Sequence, residues 1–599
     1  MTKTAALSVA AAPVAAPSSP SLRAAVFLPG LATAGLWWAS HFPLSWGWLG
    51  WFALVPLLVL VRSPARPRRV YLAAWLCGMA FYWAVIQWMR YADTRMYFTW
   101  AALATYCSLY VPLTIWLVRR LEAWTKWPLI VTLPMVWTAL EYLRAHFGTG
   151  FPWYFLAHTQ HAHLNLIQIA DFAGAYGVTF LVAMVNALVF EWLSHWPSFR
   201  EMFSLPKRSQ ARLSLQTITV VGLLLATVFY GDNRLRQDFF EKGPRMALLQ
   251  PSILQRIRND AATGDAGEAP ALTMKRQLEA LHQQAIQEKP DLIVSPETSY
   301  PDEWWEPAPE LRFDELPKEL QIDLALQNPK AAAGAWRGLV TYRLNKEPID
   351  FHRKWTASVL MGMNSRIKRD LDKPNEGKHF NSAILLRDPQ EPQWYTRYDK
   401  IHRVPFGEYI PFRDTFSWMN SFSPYEDYDY SVQSGDKFTR FPLGKYHFGV
   451  LICFEDTDPY LARQYVRAGG DDEPAVDFLV NMSNDGWFDG SAEHDEHLAI
   501  CRFRAIECRR SLARSVNMGI SALIDGNGRI VAIPGPDWQA SKKAITAITA
   551  DIPIDRRSSL YALWGDWLPG GCWLALGAAF VAGRFRRNAL HGVPHGDTR

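Results

Sequence analysis

Apolar and polar positions divide the 599-residue chain into two unlike regions. Residues 24–61 carry no Asp, Glu, Lys or Arg, and further uncharged runs follow at 70–89, 97–118, 127–140, 172–190 and 213–230. A last run occupies 567–583. A bilayer core asks for about 20 helical residues and tolerates somewhat shorter runs. With 24–61 divided into 24–40 and 46–61, the pattern predicts a polytopic α-helical membrane domain of about eight transmembrane helices, seven within 24–232 and one at 567–583. Residues 233–561 are charged throughout and read as a globular domain. Short apolar runs at 245–250, 291–295, 381–386, 447–453, 477–482 and 520–524 predict strands, and 273–288 and 493–511 predict helices. Strands alternating with helices imply a sheet core sandwiched by helices. Residues 302–356, rich in Trp, Pro and charge, read as an irregular insertion, and 1–23 as a disordered Ala/Pro/Ser-rich tail.

Charge adds an orientation. Arg62, Arg66, Arg68 and Arg69 follow the second run; Arg119, Arg120 and Lys126 follow the fourth; Arg200, Lys207, Arg208 and Arg212 follow the sixth. Alternate loops offer only Arg90, Arg95 and Arg144, while Arg584, Arg586 and Arg587 open the tail 584–599. Under the positive-inside rule both termini are cytoplasmic and residues 233–561 face outward. Buried helices of a soluble protein would not produce this alternation. The 27 Trp suit interfacial aromatic belts. A net charge of +5, gathered in these loops, is no argument for nucleic acid.

Cys77, Cys107 and Cys572 lie in apolar runs, and Cys501 and Cys508 stand seven residues apart in a helix-like segment, about 10 Å along its axis and too far for a disulfide. No spacing suits zinc, and no metal or cofactor is expected; His494 and His497 read as a solvated helix start. Cys453 differs, because it ends the strand-like HFGVLIC. Glu297 follows DLIVSP, and Lys400 follows WYTRYD. A thiol needs a base to become a nucleophile at neutral pH, a carboxylate can serve, and a lysine can stabilise the resulting oxyanion.

SPET at 295–298, YDKIHRVPFGEYIPFR at 398–413, CFED at 453–456, NMSNDGWF at 481–488 and the run 497–525 surround these residues. Together they resemble the nitrilase, or carbon–nitrogen hydrolase, superfamily and specifically its membrane-bound branch, the apolipoprotein N-acyltransferases; 141–160 and 174–186 resemble that branch's membrane segments. The resemblance implies an α-β-β-α sandwich, with Glu297 as general base, Lys400 as oxyanion-stabilising cation and Cys453 as nucleophile. Glu408, Glu455, Phe454, Asn381 and Trp487 match supporting positions; ion pairing suits Glu408 and Glu455 equally well, and Asp485, Trp487 and Phe488 would shape an acyl pocket or loop. The implied activity is lipoprotein maturation in the bacterial inner membrane: an acyl chain passes from a phospholipid, through a Cys thioester, to the α-amino group of a diacylated apolipoprotein. A membrane-tethered amidase and a catalytically silent scaffold are the alternatives. Departures from the branch pattern are the absence of Trp from 251–267, Asn517-Met518-Gly519 for Asn-Thr-Gly, His158 for Tyr and Phe454 for Tyr.

Overall fold

The computed structural model describes residues 24–591 apart from 94–95, 206–208, 264–266, 328–335, 372, 374–376, 389–390, 392, 423–430 and 469–473. The expected tail 1–23, the end of the C-terminal tail, and Arg95, Lys207 and Arg208 lie outside the described residues.

A helix occupies each run expected to span. Among the described residues, three helices are long and apolar enough to cross a membrane: Met96–Thr125, Ala175–Leu193 and Gln210–Arg236. Gln210–Arg236 turns Ile218, Leu225 and Phe229 outward, each at least 65% exposed, as a surface meant for lipid does. The run 46–61 is not one helix. A 3₁₀ turn at Gly47–Trp51 gives way to an α-helix at Val55–Arg62. Asn186, from the Ala175–Leu193 helix, satisfies the break by donating to the Gly50 carbonyl and accepting from the Leu54 N–H. Buried charge gathers at the basic end, where Arg62 bridges Glu122 and Glu191.

Among the described residues the charged domain has thirteen strands: β1 (Phe240–Gln250), β2 (Leu292–Val294), β3 (Trp304–Pro307), β4 (Ser358–Lys368), β5 (Lys378–Leu386), β6 (Tyr395–Asp399), β7 (Arg440–Leu443), β8 (Tyr446–Ile452), β9 (Phe478–Asn484), β10 (Ser511–Asn517), β11 (Ala522–Ile524), β12 (Ile530–Ala532) and β13 (Thr546–Asp555). They form a seven-stranded sheet in the order β13-β1-β2-β4-β5-β6, with β3 on β4, and a six-stranded sheet in the order β12-β11-β10-β9-β8-β7. The sheets meet face to face through Met246, Leu248 and Leu385 on one side and Phe448, Val450 and Val480 on the other. Leu278, Leu281 and Ala285 of the helix Ala269–Ile286 cover the outer face of the first sheet.

The helix Glu493–Cys508 covers the second sheet and is buried at every residue. Leu498, Cys501, Ala505 and Cys508 join the sandwich core, while Ile500, Phe503 and Ile506 join the core of the membrane helices. Its polar residues also reach partners there. Glu507 accepts from the Ala175 N–H at 2.7 Å, and His158 Nδ1 lies 2.8 Å from Glu496. Just beyond it, Arg509 grips Asp171, which also takes Arg234 and the Tyr230 hydroxyl. His494 and His497 are therefore buried, against the expectation of a solvated helix start. The 302–356 insertion is also ordered where described, rather than irregular. It contributes β3 and helices at 318–327, 336–344 and 346–352, with a small core of Leu311, Leu316, Leu324, Trp336 and Val340.

Candidate active site

Three strand ends converge where the sheets face each other. Past β2 the chain runs against β4, where the Ser295 N–H donates to the Leu360 carbonyl at 2.9 Å. The approach is close enough to need glycine on β4, since a Cβ at Gly362 would stand 2.1 Å from the Pro296 carbonyl oxygen and 2.8 Å from Glu297 Cα. Thr298, just after Glu297, has φ +41°, an outlier for a β-branched residue that persists only where its surroundings over-determine it. Buried Arg258 supplies part of that constraint: its Nη2 donates to the carbonyls of Glu297 (3.1 Å) and Thr298 (3.0 Å) and to the Thr298 hydroxyl. Cys453, at the turn from β8 into a 3₁₀ segment, has φ +51°. Lys400 directly follows β6.

Glu297, Lys400, Glu408 and Asn381 form one hydrogen-bonded group. Lys400 Nζ donates to Glu297 Oε1 at 3.1 Å and to Glu408 Oε1 at 2.9 Å. Asn381 Nδ2 spans the same two oxygens at 2.7 and 3.0 Å. The Asn484 N–H holds Glu297 Oε2 at 2.9 Å, and the Val404 N–H holds Glu408 Oε2 at 2.7 Å. Glu408 is thus both an ion-pair partner and a backbone anchor. Among the described residues Glu455 makes no ion pair; it accepts from the N–H groups of Ile401, His402 and Ile452 and from the Tyr398 hydroxyl, stapling the turn at Cys453 to the loop after Lys400. Burial pushes its carboxyl up to about 6 despite those donors.

Electrostatics keep the thiol protonated at rest. Burial first, and the Glu297 carboxylate second, push Cys453 well above the ordinary thiol range, with Lys400 and the Ser483 hydroxyl pulling the other way. Burial works against the Lys400 ammonium, but Glu297, Glu408 and Cys453 outweigh it and hold its pKa well above that of a free lysine.

Phe454 packs edge-on against His402 at 5.2 Å and touches the membrane-helix core, as does Phe488, whose ring meets Trp88 at 4.6 Å. Trp487 is 39% exposed, away from the hydrogen bonds of the group. Arg258, Asn484, Ser483 and Tyr398 escaped the sequence reading. Arg258 carried a signal only in lying within 251–267, the segment lacking Trp; Asn484 acts through its backbone, which no side-chain motif reveals.

A Glu, a Lys and a Cys thus stand at neighbouring strand ends between facing sheets, seated on apolar helices, as the resemblance to the carbon–nitrogen hydrolases implies. Residues 271–560 match the carbon–nitrogen hydrolase family, and 33–188 match the apolipoprotein N-acyltransferase N-terminal domain. The chain is 31% identical to the apolipoprotein N-acyltransferase of Geobacter metallireducens, covering 91% of this chain and 92% of that one. It is 27% identical to that of Rhodopirellula baltica, covering 92% and 95%. Among solved structures, Saccharomyces cerevisiae Nit3, a member of branch 10 of the nitrilase superfamily, aligns at TM-score 0.32 and 15% identity over 55% of this chain and 95% of that one. The chain belongs to the apolipoprotein N-acyltransferase family, and is an acyltransferase with a carbon–nitrogen hydrolase domain.

Proposed function

We propose that the protein transfers a fatty acyl chain from a membrane phospholipid to the α-amino group of the diacylglyceryl-cysteine of apolipoproteins. As Cys453 Sγ attacks the ester carbonyl, Glu297 takes the thiol proton and Lys400 stabilises the oxyanion of the tetrahedral intermediate. Collapse expels the lysophospholipid alkoxide, which takes a proton from Glu297, and leaves an acyl thioester on Cys453. The α-amine of the lipoprotein then attacks the thioester, and amide formation returns the proton to the thiol. The observation that carries this reading is the hydrogen-bonded Glu297–Lys400–Glu408–Asn381 group beside Cys453. Phe454 and Phe488 pack against the core of the membrane helices, which supports a site reached by two lipid-anchored substrates.

The reading includes about eight crossings, both termini in the cytoplasm of a bacterial inner membrane, and the catalytic domain outside. A reporter after Arg587 should then score cytoplasmic and one near Pro309 extracytoplasmic; both on one side would reject that topology. For the chemistry, phospholipid without acceptor should leave one hydroxylamine-labile acyl group on the Cys453 peptide, and Cys453→Ala should abolish the adduct and turnover. An adduct on another cysteine would overturn the mechanism. Release of ammonia from small amides, with no acylation of a diacylated lipopeptide, would favour the tethered amidase.

A further inference from the structure

Behind the strand that follows Cys453 lies a buried group of charges that the acyl-transfer steps do not use. Asp485 opens the turn after β9, and Glu493 and His497 stand one helical turn apart on the covering helix, so both side chains reach one spot. His497 Nδ1 lies 3.3 Å from Asp485 Oδ1 and 3.3 Å from Glu493 Oε1. Among the described residues no hydrogen bond satisfies that nitrogen, and Glu493 Oε2 also accepts none, with His494 Nε2 3.9 Å away, although both atoms are sealed from solvent. The imidazole's other nitrogen, Nε2, is held at 2.8 Å by Asp456 Oδ1.

The geometry is that of a metal-binding face. Donor atoms bound at about 2.0–2.1 Å in a tetrahedral site stand roughly 3.3–3.4 Å apart, which matches both distances from Nδ1. A histidine that ligates through one nitrogen almost always has the other fixed by a carboxylate, carbonyl or water, which is what Asp456 does here. Charge leads to the same place. Asp456, Asp485 and Glu493 bring three carboxylates, each at most 1% exposed, and Arg514, bonded to Asp485 at 2.6 Å, brings one compensating charge. The other titratable neighbours are His494, on the Asp485 carbonyl, and Cys501, whose thiol donates to Asp456 at 2.7 Å; neither adds a cation as a neutral group. With a neutral imidazole, two negative charges stay unbalanced in the protein interior, an arrangement that burial penalises heavily. One divalent cation balances them.

We propose that Asp485, Glu493 and His497 bind a divalent transition-metal cation of the zinc class, which ties the covering helix to the turn after β9. The mixed imidazole and carboxylate donor set suits zinc. The site is a structural one. It braces Asn484, whose N–H holds Glu297, and Ser483, whose hydroxyl donates to Asp485 at 2.7 Å.

The test uses the full chain in detergent, stripped with a chelator, re-exposed to zinc chloride, desalted and analysed for metal by mass spectrometry. The wild type should retain about one zinc per chain, and His497→Gln and Glu493→Gln should each retain at least roughly tenfold less at limiting zinc. Asp495→Asn, at a neighbour that pairs with Lys542 instead, should retain zinc like the wild type. Cobalt added to the stripped wild type should give a visible d–d band that zinc displaces. The wild-type measurement decides even if a variant fails to fold: a monodisperse wild type retaining less than about 0.1 zinc would overturn the proposal, with two protons then balancing the charge. Equal retention by well-folded His497→Gln would overturn it too.

Discussion

The helices Ala269–Ile286 and Glu493–Cys508 cover opposite faces of the same sandwich, yet their surroundings differ. The first sets Leu278, Leu281 and Ala285 on its sheet and leaves Gln283, Gln284 and Gln287 to solvent. The second has no solvent side; every charged residue on it is buried, and its outward apolar residues enter the membrane-helix core. A polar residue on the first helix solves the problem of meeting water. On the second it must find a partner inside the protein, as Glu507 does with the Ala175 N–H and with Arg504 at 2.8 Å. The covering layer that faces the membrane helices is therefore the layer in which polar substitutions should be felt, and the reacting group lies at the strand ends beneath it.

The largest effect expected on that side is at the base. Glu297→Gln should slow acylation of Cys453 by about 10²–10⁴, the usual worth of a general base. Its effect on simple alkylation should have the opposite sign. The Glu297 carboxylate is one of the causes that raise the Cys453 pKa, so removing it lowers that pKa and enlarges the thiolate fraction at any pH below it. Iodoacetamide should then label the variant faster than the wild type at pH 8, and Lys400→Met, which removes a lowering cause, should label more slowly. Slower labelling of Glu297→Gln would show that its carboxylate does not face the thiol.

The second prediction strikes the junction itself. Asp171 and Arg509 are at most 1% exposed, and truncating one partner of a buried ion pair typically costs 3–5 kcal/mol. Arg234 and Tyr230 remain on Asp171, which places Arg509→Met near the low end, about 3 kcal/mol. Thermal unfolding in detergent should show the loss, and a midpoint within a degree of wild type would mean that the two regions do not rely on this pair.

Arg258 gives the third. It acts through Glu297 rather than on substrate, by holding the carbonyls of the strained turn, and burial keeps its guanidinium down at about 10 against the pull of Glu297 and Cys453. Displacing a reacting group by about 1 Å can cost 10²-fold, so Arg258→Met should lower kcat by up to about that factor with little change in KM. Arg258→Lys should restore part of it. A rise in KM at constant kcat would assign Arg258 to substrate binding instead.

Legibility in the sequence followed the same division. Strands with a clear apolar run, such as 245–250 and 447–453, were readable, as was the outer helix with its repeating Leu. β10, SLARSVN, was not read as a strand, because Ser and Arg in a central strand look like loop chemistry; its Arg514 is paired to Asp485 and Asp456 in the interior. The helix boundary at 511 was overshot for the same reason, since the chain leaves the helix at Cys508 and enters β10 at Ser511. Glu297, Lys400 and Cys453 stood out because strand ends and motif spacing are local properties. Arg258 and the Asp456–His497 contact arise from pairing across the fold, and nothing adjacent in sequence announces them.

The smallest effect is expected on the outer helix, and it completes the comparison. Gln283 is exposed there. Surface substitutions away from caps and networks usually stay within about 0.5 kcal/mol, and alanine has the higher helix propensity, so Gln283→Ala should leave the unfolding midpoint unchanged or slightly raised. Leu281→Ala, two residues earlier but 4% exposed, should lose about 2–5 kcal/mol by leaving a cavity against the sheet. That contrast between neighbours is what an amphipathic helix facing water predicts. On the inner helix the contrast should vanish, with Glu507→Ala as damaging as the apolar Phe503→Ala, because both side chains are buried and both have partners to lose. A tolerant Glu507→Ala, measured beside an intolerant Phe503→Ala, would show that water reaches the junction and that the two helices are less different than their burial says.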